Sequence, residues 1–343
     1  MAPLYIHHFA GTASAAAAST SADLGDGGSG AEIKMDRFFH ERLSSKPLGL
    51  FRLLWGAFLV FYLIDGWWVM HLYSGAEGLR YQGWMPEGRY TNGFWSLFQW
   101  ASNGSPWFEL VYGAALLSAV AMALGWWVRV TSVVAWVCLN SLITPLAWGF
   151  AGVDFIVSIM TFLMMVASLG GHSAHWYALR RESSGDGTAP AWIYRVFQVQ
   201  LCFIYFFSGL WKVTSDVWQN GTAMHFALGW TASSSRVDFS LITQYPAVNA
   251  LLTHGVMLFE LVVFPFLIWF AGTRRWVLVL GLAFHLGVWI LMDLAVFGGV
   301  VIVYYVCFLT ATETAMIVDG FLNRIKGFKE WWLSPVGKTD DVK

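Results

Sequence analysis

A lysine, a glutamate and two histidines lie inside long apolar runs of the chain: Lys212, Glu260, His254 and His285. A charged side chain near the middle of a bilayer costs at least ~2.5–3.5 kcal/mol, so such groups face a protein interior and commonly serve a function. Arg52, Asp65, Glu109, Asp154, Arg195 and Asp293 join the set. Arg52, Glu109, Asp154 and Arg195 fall near the predicted ends of apolar runs, where snorkelling or helix capping accounts for them.

Lys212 has the most telling surroundings, Tyr205-Phe-Phe-Ser-Gly-Leu-Trp-Lys212-Val-Thr-Ser-Asp216-Val-Trp218-Gln-Asn-Gly221. An apolar helix delivers one lysine at its end, followed by a short polar turn with Trp218 and a glycine. Two readings stay open. The amine either snorkels to the headgroups, or it is partly desolvated, which lowers its pKa and makes it a usable base near neutral pH. His254 and Glu260 are six residues apart, roughly 600° of helical rotation, so they face different sides of one helix. His285, in Leu-Ala-Phe-His285-Leu, is the deepest titratable group, and a mid-membrane histidine commonly forms a helix-to-helix hydrogen bond. No H-E-x-x-H or E-x-x-H occurs, and no metal site is expected. Cys138, Cys202 and Cys307 lie in apolar stretches without ligand spacing and read as small hydrophobes in helix packing.

The elements that must position these residues are membrane helices. Charged residues make up 12% of the chain and hydrophobic ones 57%, against roughly 25% charged in a soluble domain. Too little charge is present to wet a whole surface, so much of it must face lipid. A net charge of −1 offers nothing to nucleic acid. The 21 Trp and 12 Tyr suit the membrane–water boundaries. The expected fold is all-α, a polytopic bundle of about eight spans without a sizeable soluble domain. The spans are 48–71, 107–126, 128–147, 153–170, 191–212, 248–271, 276–294 and 296–316, each near the ~20 residues that cross a bilayer. Breakers separate them, among them Pro86, Gly125, Pro145, Pro246 and Gly272.

Residues 1–35 are Ala-, Ser- and Gly-rich and read as a disordered arm, 36–46 as an amphipathic cytoplasmic segment, 47–316 as the transmembrane domain, and 317–343 as a basic cytoplasmic tail. Lys and Arg cluster before the first span, at Arg129, Arg180, Arg181, Arg274 and Arg275, and after the last span. The positive-inside rule then puts both termini in the cytoplasm. The long opposite loops, 72–106 and 213–247, either fold back at the interface over a cavity or pack as plain loops.

Taken in order, Phe51-Arg-Leu-Leu-Trp-Gly56, Gly125 to Arg129, Tyr205 to Gly221, His254-Gly255, Arg275 to His285 and Phe297-Gly-Gly resemble the HTTM membrane domain, the vitamin K-dependent γ-carboxylase-like family. The resemblance runs from about residue 45 to 315, and Ser208-Gly-Leu-Trp-Lys212 through Gly221 is its most specific part. It implies a cofactor, reduced vitamin K or another quinol, reaching the bundle laterally from the lipid bilayer. It also implies that Lys212 is the base that deprotonates that quinol. The resulting anion reacts with molecular oxygen to give a strongly basic alkoxide and then the quinone epoxide. That alkoxide takes a proton from a glutamate side chain, to which carbon dioxide adds. His254, Glu260, His285, Asp154 and Trp218 are the implied quinone-pocket or proton-relay residues.

Two departures shape the expectation. The carboxylase carries a large lumenal β-rich domain after its membrane part, whereas this chain ends, so peptide carboxylation is not expected. The family's enzymes also hold a catalytic histidine before the fourth span, where this chain reads Trp148-Gly-Phe-Ala-Gly-Val-Asp154. The expected protein is therefore a bacterial inner-membrane protein that binds and oxygenates a quinone-like lipid. The rivals are a non-catalytic accessory or immunity-type module of the same fold and a transporter. No paired, broken helices in corresponding halves support the last.

Overall fold

The computed structural model describes residues 30–75, 78, 95–100, 106–144, 152–172, 187–231 and 244–333. The chain divides into a unit of residues 1–41 and a unit of 42–343. The first contains helix α1, Gly30–His40, where His40 Nδ1 lies 3.0 Å from Asp36 one turn earlier. The disordered arm expected over 1–35 lies mostly outside the described residues.

The second unit is an all-α bundle. Its helices are α2 (Lys46–Ser74), α3 (Trp107–Leu124), α4 (Val128–Ile143), α5 (Gly152–Ala167), α6 (Ala191–Val213), α7 (Asp216–Gln219), α8 (Ala223–Thr231), α9 (Pro246–Leu258), α10 (Phe264–Leu267), α11 (Ala271–Met292), α12 (Ala295–Tyr305) and α13 (Ala311–Leu333). A π-helical segment, Phe259–Val263, joins α9 to α10. Five helical stretches are long and apolar enough to cross a membrane: Lys46–Ser74, Trp107–Leu124, Gly152–Gly170, Ala191–Val213 and Pro246–Leu267. Val128–Ile143 and Ala295–Phe308 are shorter apolar helices. The outward faces carry large apolar side chains, such as Leu117 (72% exposed) and Leu251 (74%), as lipid contact requires.

Local chemistry sets the ends. Pro47 sits in the first turn of α2, where its fixed φ favours the helix and its missing N–H costs nothing. Between α3 and α4, Gly125 takes a left-handed φ of 83°, and the Trp126 N–H closes the turn on the Ala121 carbonyl at 2.8 Å. Asp293 adopts φ 55° in the two-residue turn between α11 and α12, a conformation Asp tolerates better than most residues. A two-stranded antiparallel ribbon, Arg42–Ser44 (β1) against Thr188–Pro190 (β2), ties the start of α2 to the start of α6. Ser45 N and Oγ both donate to the Gly187 carbonyl, and Tyr194 donates to that of Ser44. Between α2, α6 and α12 the core is aromatic: Phe51 packs edge-on to Phe197 at 4.7 Å, with Tyr304 against both.

Two segments differ from the sequence expectation. The eighth span does not run to residue 316. Helix α12 tightens into a 3₁₀ turn at Val306–Phe308, Leu309 is extended, and a new helix starts at Ala311. The cause is a capping box. Thr310 Oγ1 accepts the Glu313 N–H at 3.2 Å, and Glu313 Oε2 accepts the Thr310 N–H at 2.8 Å. Residues 317–333, expected as part of a tail, continue that helix.

The sixth span is likewise not one regular helix. Pro265 lacks the N–H that would bond to the Leu261 carbonyl, and its ring crowds that carbonyl. The backbone widens there into the π segment, a feature frequent at functional sites.

Candidate functional site

Helix α6 presents Ser208 and Lys212 one turn apart on the same face. The Lys212 amine donates to Ser208 Oγ at 2.7 Å and lies 2.5 Å from Glu260 Oε2. Its side chain is 17% exposed and that of Glu260 8%, so the lysine does not snorkel freely. Glu260 reaches it from the π segment. Gly209 makes the approach of the two elements possible, since a Cβ there would stand 2.7 Å from the Leu261 nitrogen.

The turn after α6 completes the surround. Gln219 Nε2 donates to the Val213 carbonyl at 2.6 Å, folding α7 back on the end of α6. This sets the Trp218 ring 5.0 Å from the Lys212 amine, within cation–π range. Helix α9 holds the turn from the other side. His254 Nε2 bonds the Gln219 carbonyl at 3.1 Å, Thr253 Oγ1 donates to the Gly221 carbonyl at 3.3 Å, and the Met224 N–H donates to Thr253 Oγ1 at 3.2 Å. Of the two readings of loop 213–247, the first described part, 213–231, folds back over a cavity. Loop 72–106 lies largely outside the described residues.

That cavity has a volume of about 430 Å³ and opens to the exterior. Its walls are apolar, with Leu228, Leu252, Phe284, Val288 and Phe297 among them, and its polar side chains are Ser208, Lys212 and Glu260, with Trp218 at the same end. The volume falls within the ~300–1,000 Å³ of small-molecule sites, which typically combine apolar walls with a few placed polar groups.

The structure brings Lys212, Glu260 and Trp218 together at the cavity, whose lining does not include His254, His285 or Asp154. His254 supports the turn. His285 is 2% exposed and does not line the cavity. Its Nε2 pairs with the Tyr205 hydroxyl at 2.7 Å, and Tyr205 pairs with the Tyr305 hydroxyl at 2.5 Å. The ring sits directly behind the wall, against Phe284 and Phe297, and its Nδ1 has no hydrogen-bond partner. Asp154 does not line the cavity; on α5 it accepts a 2.5 Å hydrogen bond from Tyr62 of α2. Arg195 donates to Gln198 at 2.7 Å, as a structural role predicts. Residues 145–151, which include most of the stretch lacking the family histidine, lie outside the described residues.

Ser208, Tyr205 and Tyr305 are not among the site residues expected from the sequence, although Ser208 stands four residues before Lys212, the spacing that puts two side chains on one helix face. Among the described residues no three His, Cys, Asp or Glu side chains cluster as metal ligands would. The three cysteines are free and buried.

Comparison with known proteins places these residues in context. The HTTM domain model matches residues 41–312. YitO of Bacillus subtilis is 28% identical over 195 residues, covering 55% of this chain and 62% of YitO. The sporulation-delaying protein SdpB of the same organism is 24% identical over 253 residues, covering 72% of this chain and 74% of SdpB. No solved structure matches significantly.

Proposed function

The chain belongs to the HTTM-domain family of membrane proteins, and from that premise we propose that its cavity binds a quinol-type lipid, with Lys212 as the proton acceptor. One observation carries the reading: a largely buried amine–carboxylate pair stands at the wall of an otherwise apolar cavity.

The residues fit such a ligand. Trp218, Phe284 and Phe297 offer aromatic faces, and the apolar walls suit a ring and the start of a prenyl-type tail. Bound there, a hydroquinone would supply an oxidisable ring whose deprotonated form reacts with oxygen to give a quinone epoxide. The protein's part is proton handling. From the ion pair, the Lys212 amine passes a proton to Glu260 as it takes one from a hydroxyl in the cavity. The ammonium so formed then offsets the charge left on that oxygen, in an environment where water does not screen it. Ser208 orients the amine through the hydrogen bond that it accepts. Peptide carboxylation is no part of the proposal. The basic loop pattern supports placement in a bacterial inner membrane with both termini cytoplasmic. A reporter enzyme active only in the periplasm, fused after Lys343, is expected to stay silent.

A second reading has one observation in its favour. Lys212 already holds three partners, Glu260, Ser208 and Trp218, as it would in a non-catalytic accessory or immunity-type module that merely seats a lipid. Incubation of purified protein with reduced vitamin K under oxygen, scored for epoxide by mass spectrometry, separates the two. Epoxide from the wild type and none from Lys212→Ala supports the enzyme. Equal yields from both sink it.

A further inference from the structure

A second cavity opens at the other end of α11, remote from Lys212, and nothing in the proposed quinol chemistry uses it. We infer that this groove, between α11 and α13, binds an anionic phospholipid through Arg274 and Arg275.

The groove has a volume of about 580 Å³. Arg274, Arg275 and Glu313 supply its charged side chains, while Leu278, Val279 and Ile317 are among its apolar walls. Charge at the mouth is unbalanced. Neither arginine makes a hydrogen bond or ion pair among the described residues. The single carboxylate, Glu313, already spends Oε2 on the Thr310 N–H and hydroxyl, at 2.8 and 2.9 Å. Two guanidinium groups against one engaged carboxylate leave a cationic mouth that suits a phosphodiester, which arginine binds in bidentate fashion.

The depth in the membrane also fits. Val288, in the first cavity, is thirteen residues from Arg275 on α11, roughly 20 Å along the helix. Around the arginines, Phe270 and Trp276 are largely exposed, at 62% and 71%, as in the aromatic belts at headgroup level. A free inorganic anion would have no use for the apolar walls beneath the arginines. A lipid acyl chain would, so the occupant is a lipid and not soluble phosphate. Basic pockets between helices at this level are the usual seats of acidic headgroups.

The test uses the full chain, delipidated and reconstituted with equimolar phosphatidylglycerol and phosphatidylcholine, with the retained lipid measured after dilution into detergent. The wild type is expected to retain phosphatidylglycerol roughly 10- to 30-fold over phosphatidylcholine. That preference should vanish in Arg274→Gln/Arg275→Gln. It should also fall in Leu278→Trp, which keeps both arginines but fills the apolar wall. Arg324→Gln/Lys326→Gln, which removes charge elsewhere on α13, should leave it intact. Three results would overturn the inference in well-folded protein: no preference in the wild type, equal loss in the Arg324/Lys326 control, or retention in Leu278→Trp. Displacement of the lipid by millimolar inorganic phosphate would assign the site to a free anion instead.

Discussion

Lys212 and Glu260, 48 residues apart in sequence, meet at 2.5 Å across the contact between α6 and the π segment. The pair does two things at once: it locks the two elements together and puts a transferable proton at the wall of an apolar cavity. Because both side chains are largely buried, removing one leaves an uncompensated charge.

Lys212→Met and Glu260→Gln should therefore each destabilise the fold, by up to about 3–5 kcal/mol, while the double variant recovers most of the loss. Unfolding in a graded series of SDS fractions gives the cycle. Additive losses would mean that the two groups are not coupled.

Gly209 lets the π segment approach α6, and a Cβ there would meet the Leu261 nitrogen at 2.7 Å and its Cα at 2.9 Å. Gly209→Ala is expected to cost about 1–3 kcal/mol by overpacking and to move Glu260 away from the amine. A loss of quinol affinity larger than that of a distant variant of equal stability would show the second effect.

The hydroxyl of Tyr205 bridges His285 and Tyr305. Tyr205→Phe strands two buried partners, at about 1–3 kcal/mol for each unsatisfied group, whereas Tyr305→Phe leaves the Tyr205 hydroxyl its bond to His285. The thermal midpoint should therefore fall further for Tyr205→Phe. The reverse order would show that the network is organised around Tyr305.

Glu313 gives a pH prediction. The Thr310 backbone N–H, the Thr310 hydroxyl and the charges of Arg274 and Arg275 hold its carboxyl below the ordinary 4.5. A depressed folded-state value means stability that is present above 4.5 and lost as pH falls through the folded value. From about pH 5 to about pH 3 the wild type should lose more of its thermal midpoint than Glu313→Gln does. Parallel curves would contradict the assignment.

How much of this was legible depended on range. The apolar runs and their breakers foretold where helices lie, because lipid demands about twenty apolar residues at a time and Gly125 and Pro246 act locally. Lys212 stood out because a lysine is costly in an apolar helix. Its pairing with Glu260 was not legible, since it depends on a contact 48 residues away and on a backbone widened by Pro265. Rotation along a regular helix set His254 and Glu260 apart, and each does meet a different partner, but it could not say which one faced Lys212. The capping box at Thr310 and Glu313 was readable as T-x-x-E, yet the hydrophobicity of the surrounding run masked it. The ribbon of β1 and β2 joins segments too short and too distant to announce themselves.

The central claim, that the cavity beside Lys212 holds a quinol, is tested most directly by anaerobic binding of a reduced naphthoquinone to purified protein, which separates binding from oxygen chemistry. Saturable binding by the wild type, weakened about tenfold or more in a folded Lys212→Met variant, is the expected result, a change of at least ~1.4 kcal/mol. Equal dissociation constants for the two proteins, or no saturable binding by the wild type, would contradict it.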